Sequence, residues 1–162
     1  KEDFSALAQE FRLKIAVSGG LSDLYDLPAR YRTAREALAL MGDGRYHGES
    51  VCTVDRLRVP LLLKNLEGRE DLISRPLEAL ADHDREKGTG YCETLYWYLA
   101  CGRSLKKTCE MLFTHRNTVL YRIRRMQGDF GLPLDDPACH AELLLGVSVL
   151  LFRDRGPDFF LR

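Results

Sequence analysis

Between Arg103 and Arg125 the chain places seven basic side chains against one acid: Arg103, Lys106, Lys107, Arg116, Arg122, Arg124 and Arg125 face only Glu110. The chemistry such a stripe can do is phosphate recognition, because clustered cations lower the energy of a polyanion and orient it on approach. A solvated helix face normally mixes both signs, yet no acid occurs from Phe113 to Arg125. The whole chain is formally neutral, so the remaining residues carry −6 and the stripe lies on an acidic body. Base reading is within reach as well. The amide of Asn117 can pair bidentately with adenine and the guanidinium of Arg124 with guanine, while Arg116, Arg122 and Arg125 can reach phosphates.

Other chemistries find less support. His83 with Asp82 and Asp84, or His115 near Cys109, lack the ligand spacing of zinc sites, so no metal is expected. His83 reads as an exposed helical residue and His115 as a helix-start residue near DNA. The five cysteines are odd in number, widely spaced and without a C-x-x-C pair. Reduced thiols in the cytoplasm are the simplest account, and none has an oriented base to make it a nucleophile. Nucleotide-cyclase chemistry would need paired acids after a glycine-rich turn; Gly19-Gly20 and Gly42-Asp43-Gly44 have none. No catalytic residue and no cofactor is expected. Tyr91, Tyr96, Trp97 and Tyr98 could stack on unpaired bases, but at helical spacing they read as core and partner surface.

The basic stripe needs elements to position it. Ser104 is a capping residue type, and Leu105, Cys109 and Leu112 follow at helical spacing as one buried stripe. Phe113-Thr114 can turn the chain, with Thr114 or His115 capping a second helix in which Val119, Ile123 and Met126 form another buried stripe. Two short amphipathic helices joined by a tight turn make a helix-turn-helix. With roughly 100° per residue and Val119 inward, Asn117, Tyr121 and Arg124 point outward, with Thr118 and Arg125 beside them. Lys106 and Lys107 sit at the start of the first helix, where amide protons and cations favour a phosphate together.

Upstream, residues 1–11 read as a helix with Phe4, Leu7, Ala8 and Phe11 on one face, 13–17 as a strand, 26–41 as a helix and 46–54 as a second strand. This predicts an α+β protein: a small α/β unit over residues 1–56, a helical linker over 57–88 with a break at Pro76, and an all-α helix-turn-helix domain over 89–162. Thr89 is a candidate cap for a helix over 91–101. The greasy run Leu143 to Phe152 is too short to span a membrane and reads as a core helix. No secretory signal opens the chain, which starts at Lys1 rather than Met, as a piece of a longer protein would.

The string LFTHRNTVLYRIRRM resembles the Fis-like helix-turn-helix of PucR-type and sugar-diacid regulators. Leu112, Phe113, His115, Arg116, Asn117, Thr118, Tyr121, Arg122 and Ile123 match its L-F-x-H-R-N-T-x-x-Y-R-[IL] string. Glu93-Thr94-Leu95 with Tyr98-Leu99 matches the E-T-L-x-x-Y-L opening of the same domain. Cys109 stands where that family usually has alanine, and Thr114 where an aliphatic residue is commoner. Farther upstream, IAVSGG followed by YRTAREAL resembles a degenerate GGDEF-like domain. The resemblance implies a bacterial, cytoplasmic transcription regulator, often an activator of catabolic genes, with an effector sensed farther N-terminal. It implies double-stranded DNA and a second copy of the chain as partners, and no membrane. The expected interface is Lys106, Lys107, His115, Arg116, Asn117, Thr118, Tyr121, Arg122, Arg124 and Arg125. The alternative is an interaction or signalling module with a cyclase-like relic and no direct DNA readout.

Overall fold

The computed structural model describes residues 2–20 and 22–161 and divides into two compact units. The first comprises residues 1–66 and 154–162, the second residues 67–153.

In the first unit, α1 (Glu2–Glu10) leads into β1 (Ile15–Val17), a 3-10 turn (Leu24–Asp26), α2 (Leu27–Gly42), β2 (Val51–Thr53) and α3 (Arg58–Lys64). A second 3-10 turn, Pro157–Leu161, belongs to the same unit. The strands pair in parallel, with Ala16 opposite Cys52, so α2 is the crossover between them. Pro28 sits in the first turn of α2, where its fixed φ suits a helix and its missing N–H costs nothing.

One upstream expectation is corrected. The strand expected over 46–54 is reduced to three residues, because the chain before it closes into a turn. Asp43 accepts from the Arg45 backbone and guanidinium, and the Tyr46 hydroxyl donates to the Glu49 carbonyl at 2.8 Å. Tyr46 is thereby buried, and Gly48 packs so closely on its ring that a Cβ there would lie 2.8 Å away. On α1 the apolar face is not the buried one: Ala8 is enclosed, whereas Phe4, Leu7 and Phe11 stay exposed.

The second unit is helical. A 3-10 turn (Glu70–Leu72) precedes α4 (Arg75–Lys87), α5 (Tyr91–Ala100), α6 (Leu105–Leu112), α7 (Arg116–Phe130) and α8 (His140–Arg155), whose last two residues fall in the first unit. Pro76 marks the expected break by standing in the first turn of α4. The core gathers Leu77 and Leu80 from α4, Leu95 and Leu99 from α5, Val119 and Met126 from α7, and Leu143 and Leu150 from α8. The run 143–152 is a core helix, as its composition predicts, with Leu143 and residues 146–152 buried. At Gly146 a Cβ would lie 2.7 Å from Leu77 Cδ1, so the absent side chain lets α8 approach α4 closely.

Thr89 does not cap α5. Its hydroxyl instead donates to the Asp84 carboxylate, and that carboxylate accepts from the backbone N–H of Tyr91 at 2.8 Å and of Cys92 at 2.7 Å. The first amides of α5 are therefore satisfied from the preceding helix. His83 on α4 is likewise not a solvated residue. It stacks on Tyr91 with centroids 5.6 Å apart and meets the edge of Phe130 at 5.4 Å, tying together α4, α5 and the end of α7.

Candidate nucleic-acid interface

The interface is built on α6, the turn Phe113–His115 and α7. Ser104 caps α6 by accepting from the Lys107 backbone N–H at 3.5 Å. The stripe of α6 centres on Thr108, which is fully buried and donates its hydroxyl to the Ser104 carbonyl, while Leu105, Cys109 and Leu112 are half-buried around it. Phe113 closes α6 in the left-handed conformation (φ 48°), and the Thr114 N–H then reaches back to the Cys109 carbonyl. His115 is the cap of α7: its Nδ1 accepts from the Asn117 N–H at 3.3 Å. Thr114 turns its hydroxyl to the Leu112 carbonyl instead. Gly131, with φ 65°, ends α7 and donates to the Met126 carbonyl.

Val119, Ile123 and Met126 point inward from α7, which packs on α4, α5 and α6. The opposite side presents Arg116, Asn117, Thr118, Tyr121, Arg124 and Arg125 to solvent, with His115 at its leading end. Lys106 and Lys107 are exposed in the first turn of α6. An open groove of about 600 Å³ separates Leu105, Lys106, Cys109 and Glu110 of α6 from Thr114, His115 and Arg116. Two cations and an imidazole border it, with Glu110 as the one carboxylate.

The basic stripe is not uniform. Arg122 is half-buried and directs its guanidinium toward α5, donating to Thr94 Oγ1 at 2.8 Å and to the Gly90 carbonyl at 3.5 Å. Arg103 turns to the Asp136 carbonyl at 2.8 Å. Arg125 stays exposed but is hydrogen-bonded to Tyr91 and paired with Asp129 at 2.7 Å, contacts that stabilise its charge further. Asp84, Gly90 and Thr94 support this arrangement without any signal in the local sequence pattern, since each acts on a residue of another helix or of a later turn. Among the described residues, no group of three or more His, Cys, Asp or Glu side chains is placed to hold a metal ion. None of the described helices is long and apolar enough to cross a membrane.

An eight-residue helix, a left-handed turn and a fifteen-residue helix with an acid-free outer face over its first ten residues define a helix-turn-helix of the DNA-binding class. Residues 91–149 match the family model of the PucR C-terminal helix-turn-helix domain. This segment is therefore similar to a helix-turn-helix domain of the DNA-binding class. The chain is similar to the purine catabolism regulatory protein of Bacillus subtilis (strain 168), with 29% identity over 149 residues, covering 85% of this chain and 27% of the relative. It is also similar to an uncharacterized protein of Haemophilus influenzae, with 27% identity over 128 residues, covering 76% of this chain and 33% of that protein. The chain thus spans a third or less of the length of these relatives. No solved structure matches it.

Proposed function

We propose that the chain is the C-terminal part of a sequence-specific transcription regulator that reads double-stranded DNA through α7. The observation that carries this reading is the outer face of α7, where Asn117, Tyr121 and Arg124 stand exposed and no acid occurs before Asp129. In this proposal Asn117 and Arg124 read base edges in the major groove. Arg116 and Arg125, with Lys106 and Lys107 of α6, hold phosphates on either side, and His115 and Thr118 contact the strand at the entry of α7.

Helix-turn-helix modules of this kind act in pairs on half-sites about 34 Å apart. The proposal therefore includes a homodimer in the cytoplasm, an effector sensed by a more N-terminal region, and activation of catabolic genes. The name of the Bacillus subtilis relative, a purine catabolism regulatory protein, supports the catabolic role, not its sign. We read the first unit as a degenerate GGDEF-like domain. Its strand, crossover helix and parallel strand support this, as does the lack of paired acids after Gly19-Gly20.

Selection of random duplex DNA by the purified chain at moderate salt tests the proposal. Enrichment of a motif with two half-sites about one helical turn apart is the expected result. An absence of enrichment, with no binding even at low salt, refutes DNA readout by this chain and leaves the interaction-module reading.

A further inference from the structure

Phe113 combines two unfavourable features. It is the most exposed large apolar side chain among the described residues, at 96%. Its backbone also sits at φ 48°, a region that glycine enters freely and that most residues with a Cβ enter at a cost. An exposed apolar residue alone needs no explanation. Here the ring is almost wholly bare of folded contacts, and glycine would suit the backbone better. Folding stability therefore accounts for neither the ring nor its position.

The surroundings point to what covers it. Phe113 stands two residues before His115, the cap of α7, and three before Arg116, the first of the helix's exposed cations. The groove beside the turn is bordered by Lys106, His115 and Arg116. Phe113 also lies inside an acid-free run that extends from Met111 to Gly128. A partner suited to this patch carries negative charge and apolar surface within a few ångströms of each other. Duplex DNA does so: each phosphate adjoins the C–H faces of deoxyribose, and thymine adds a methyl group in the major groove.

We infer that Phe113 is a positioning residue of the DNA interface. Its ring packs on the deoxyribose and thymine-methyl surface of the strand next to the first turn of α7, and fixes the depth at which that helix enters the groove. The inference rests on the DNA-binding reading proposed above. It adds an aliphatic-packing contact to an interface whose other members are mostly charged or polar.

The test uses the full 162-residue chain and a duplex selected by it from a random pool, or a mixed-sequence duplex at low salt if none is enriched. Phe113→Gly and Phe113→Asn remove the ring while keeping residues that accept the left-handed turn, and Phe113→Trp keeps an aromatic ring there. The Gly and Asn variants are expected to bind roughly tenfold more weakly, the effect of exposing about half of a buried phenyl ring. Their slope of log affinity against log salt stays at the wild-type value, because an apolar contact releases no counterions. They melt at or above the wild-type temperature, and the Trp variant retains affinity.

Wild-type affinity in the Gly and Asn variants overturns the inference while leaving DNA binding intact. A slope that falls together with affinity does so too, since the loss would then come from displaced cations. Normal DNA binding with lost transcription activation would assign Phe113 to a protein partner instead. Failure of the wild-type chain to bind any duplex at low salt refutes the DNA reading itself, and the inference with it.

Discussion

Arg122 is the basic residue whose position departs most from a simple phosphate-contact role, and its replacement separates two mechanisms. In Arg122→Ala the guanidinium bonds to Thr94 Oγ1 (2.8 Å) and the Gly90 carbonyl (3.5 Å) are lost. Hydrogen bonds from charged groups contribute about 1.5–3 kcal/mol each. The lower end applies here, because Arg122 is only half-buried and Thr94 keeps its own hydroxyl bond to the Gly90 carbonyl at 2.7 Å. A loss of about 1.5 kcal/mol in a domain of roughly 60–100 residues lowers Tm by about 6–12 °C. Thermal melting followed by circular dichroism measures this directly. Arg122→Lys should lose most of the same stability while keeping the charge, since an ammonium lacks the fork that spans both acceptors. A cycle with Thr94→Val should give a coupling above about 0.5 kcal/mol. An unchanged Tm in Arg122→Ala, accompanied by a salt slope reduced by about 1, would refute the strut and make Arg122 a phosphate ligand.

Asp84→Ala removes the acceptor for two amides of α5 and should cost about 1–2 kcal/mol, read as a lower Tm; Asp84→Asn should restore part of it. Arg124→Ala and Asn117→Ala should each weaken binding by about 1–3 kcal/mol at one base position, leaving Tm unchanged, as competition with single-base variants of the selected duplex would reveal. The Asp43 carboxyl is held down to about 2, from an ordinary 3.8, chiefly by the Arg45 guanidinium and backbone. A carboxylate with a lowered folded value stabilises fully above its ordinary value and loses that contribution as pH falls toward about 2. Acid unfolding of Asp43→Asn between pH 4 and 2 should therefore be flatter than that of the wild type.

Where the determinants of structure lie close together along the chain, the sequence was readable. Ser104 bonds three residues on, His115 two residues on, and Val119, Ile123 and Met126 recur at the helical period, so α6, the turn and α7 are legible as a pattern. Reading failed where a residue answers to a distant partner. The first amides of α5 take their acceptor from Asp84 rather than from neighbouring Thr89, and nothing in local spacing distinguishes those two oxygens. His83 looks like a solvated helical residue until the packing of α4 on α5 and α7 brings Tyr91 and Phe130 to its ring. On α1 the helical spacing is legible but not which of its apolar residues is covered: the helix buries small Ala8 and leaves Phe4, Leu7 and Phe11 outside.

The same distinction applies to the candidate site. A helical wheel gives a side chain's direction from the axis but not the conformation of a long chain leaving it. Arg124 points away from Val119 and is exposed, as the wheel requires. Arg122 flanks the buried stripe, and from there its flexible stem can carry the charge outward to a phosphate or inward to a carbonyl. The inward direction fits closely against Gly90, where a Cβ would lie 3.3 Å from the guanidinium Nη1. A missing side chain on the loop before α5 thus leaves room for a cation of α7 to bond there. Gly90→Ala should press on that guanidinium, while its φ of 70° strains any residue with a Cβ. Charge counted along a segment therefore overstates what the segment can offer a polyanion, since side chains that hold the helices together are drawn from the same residues.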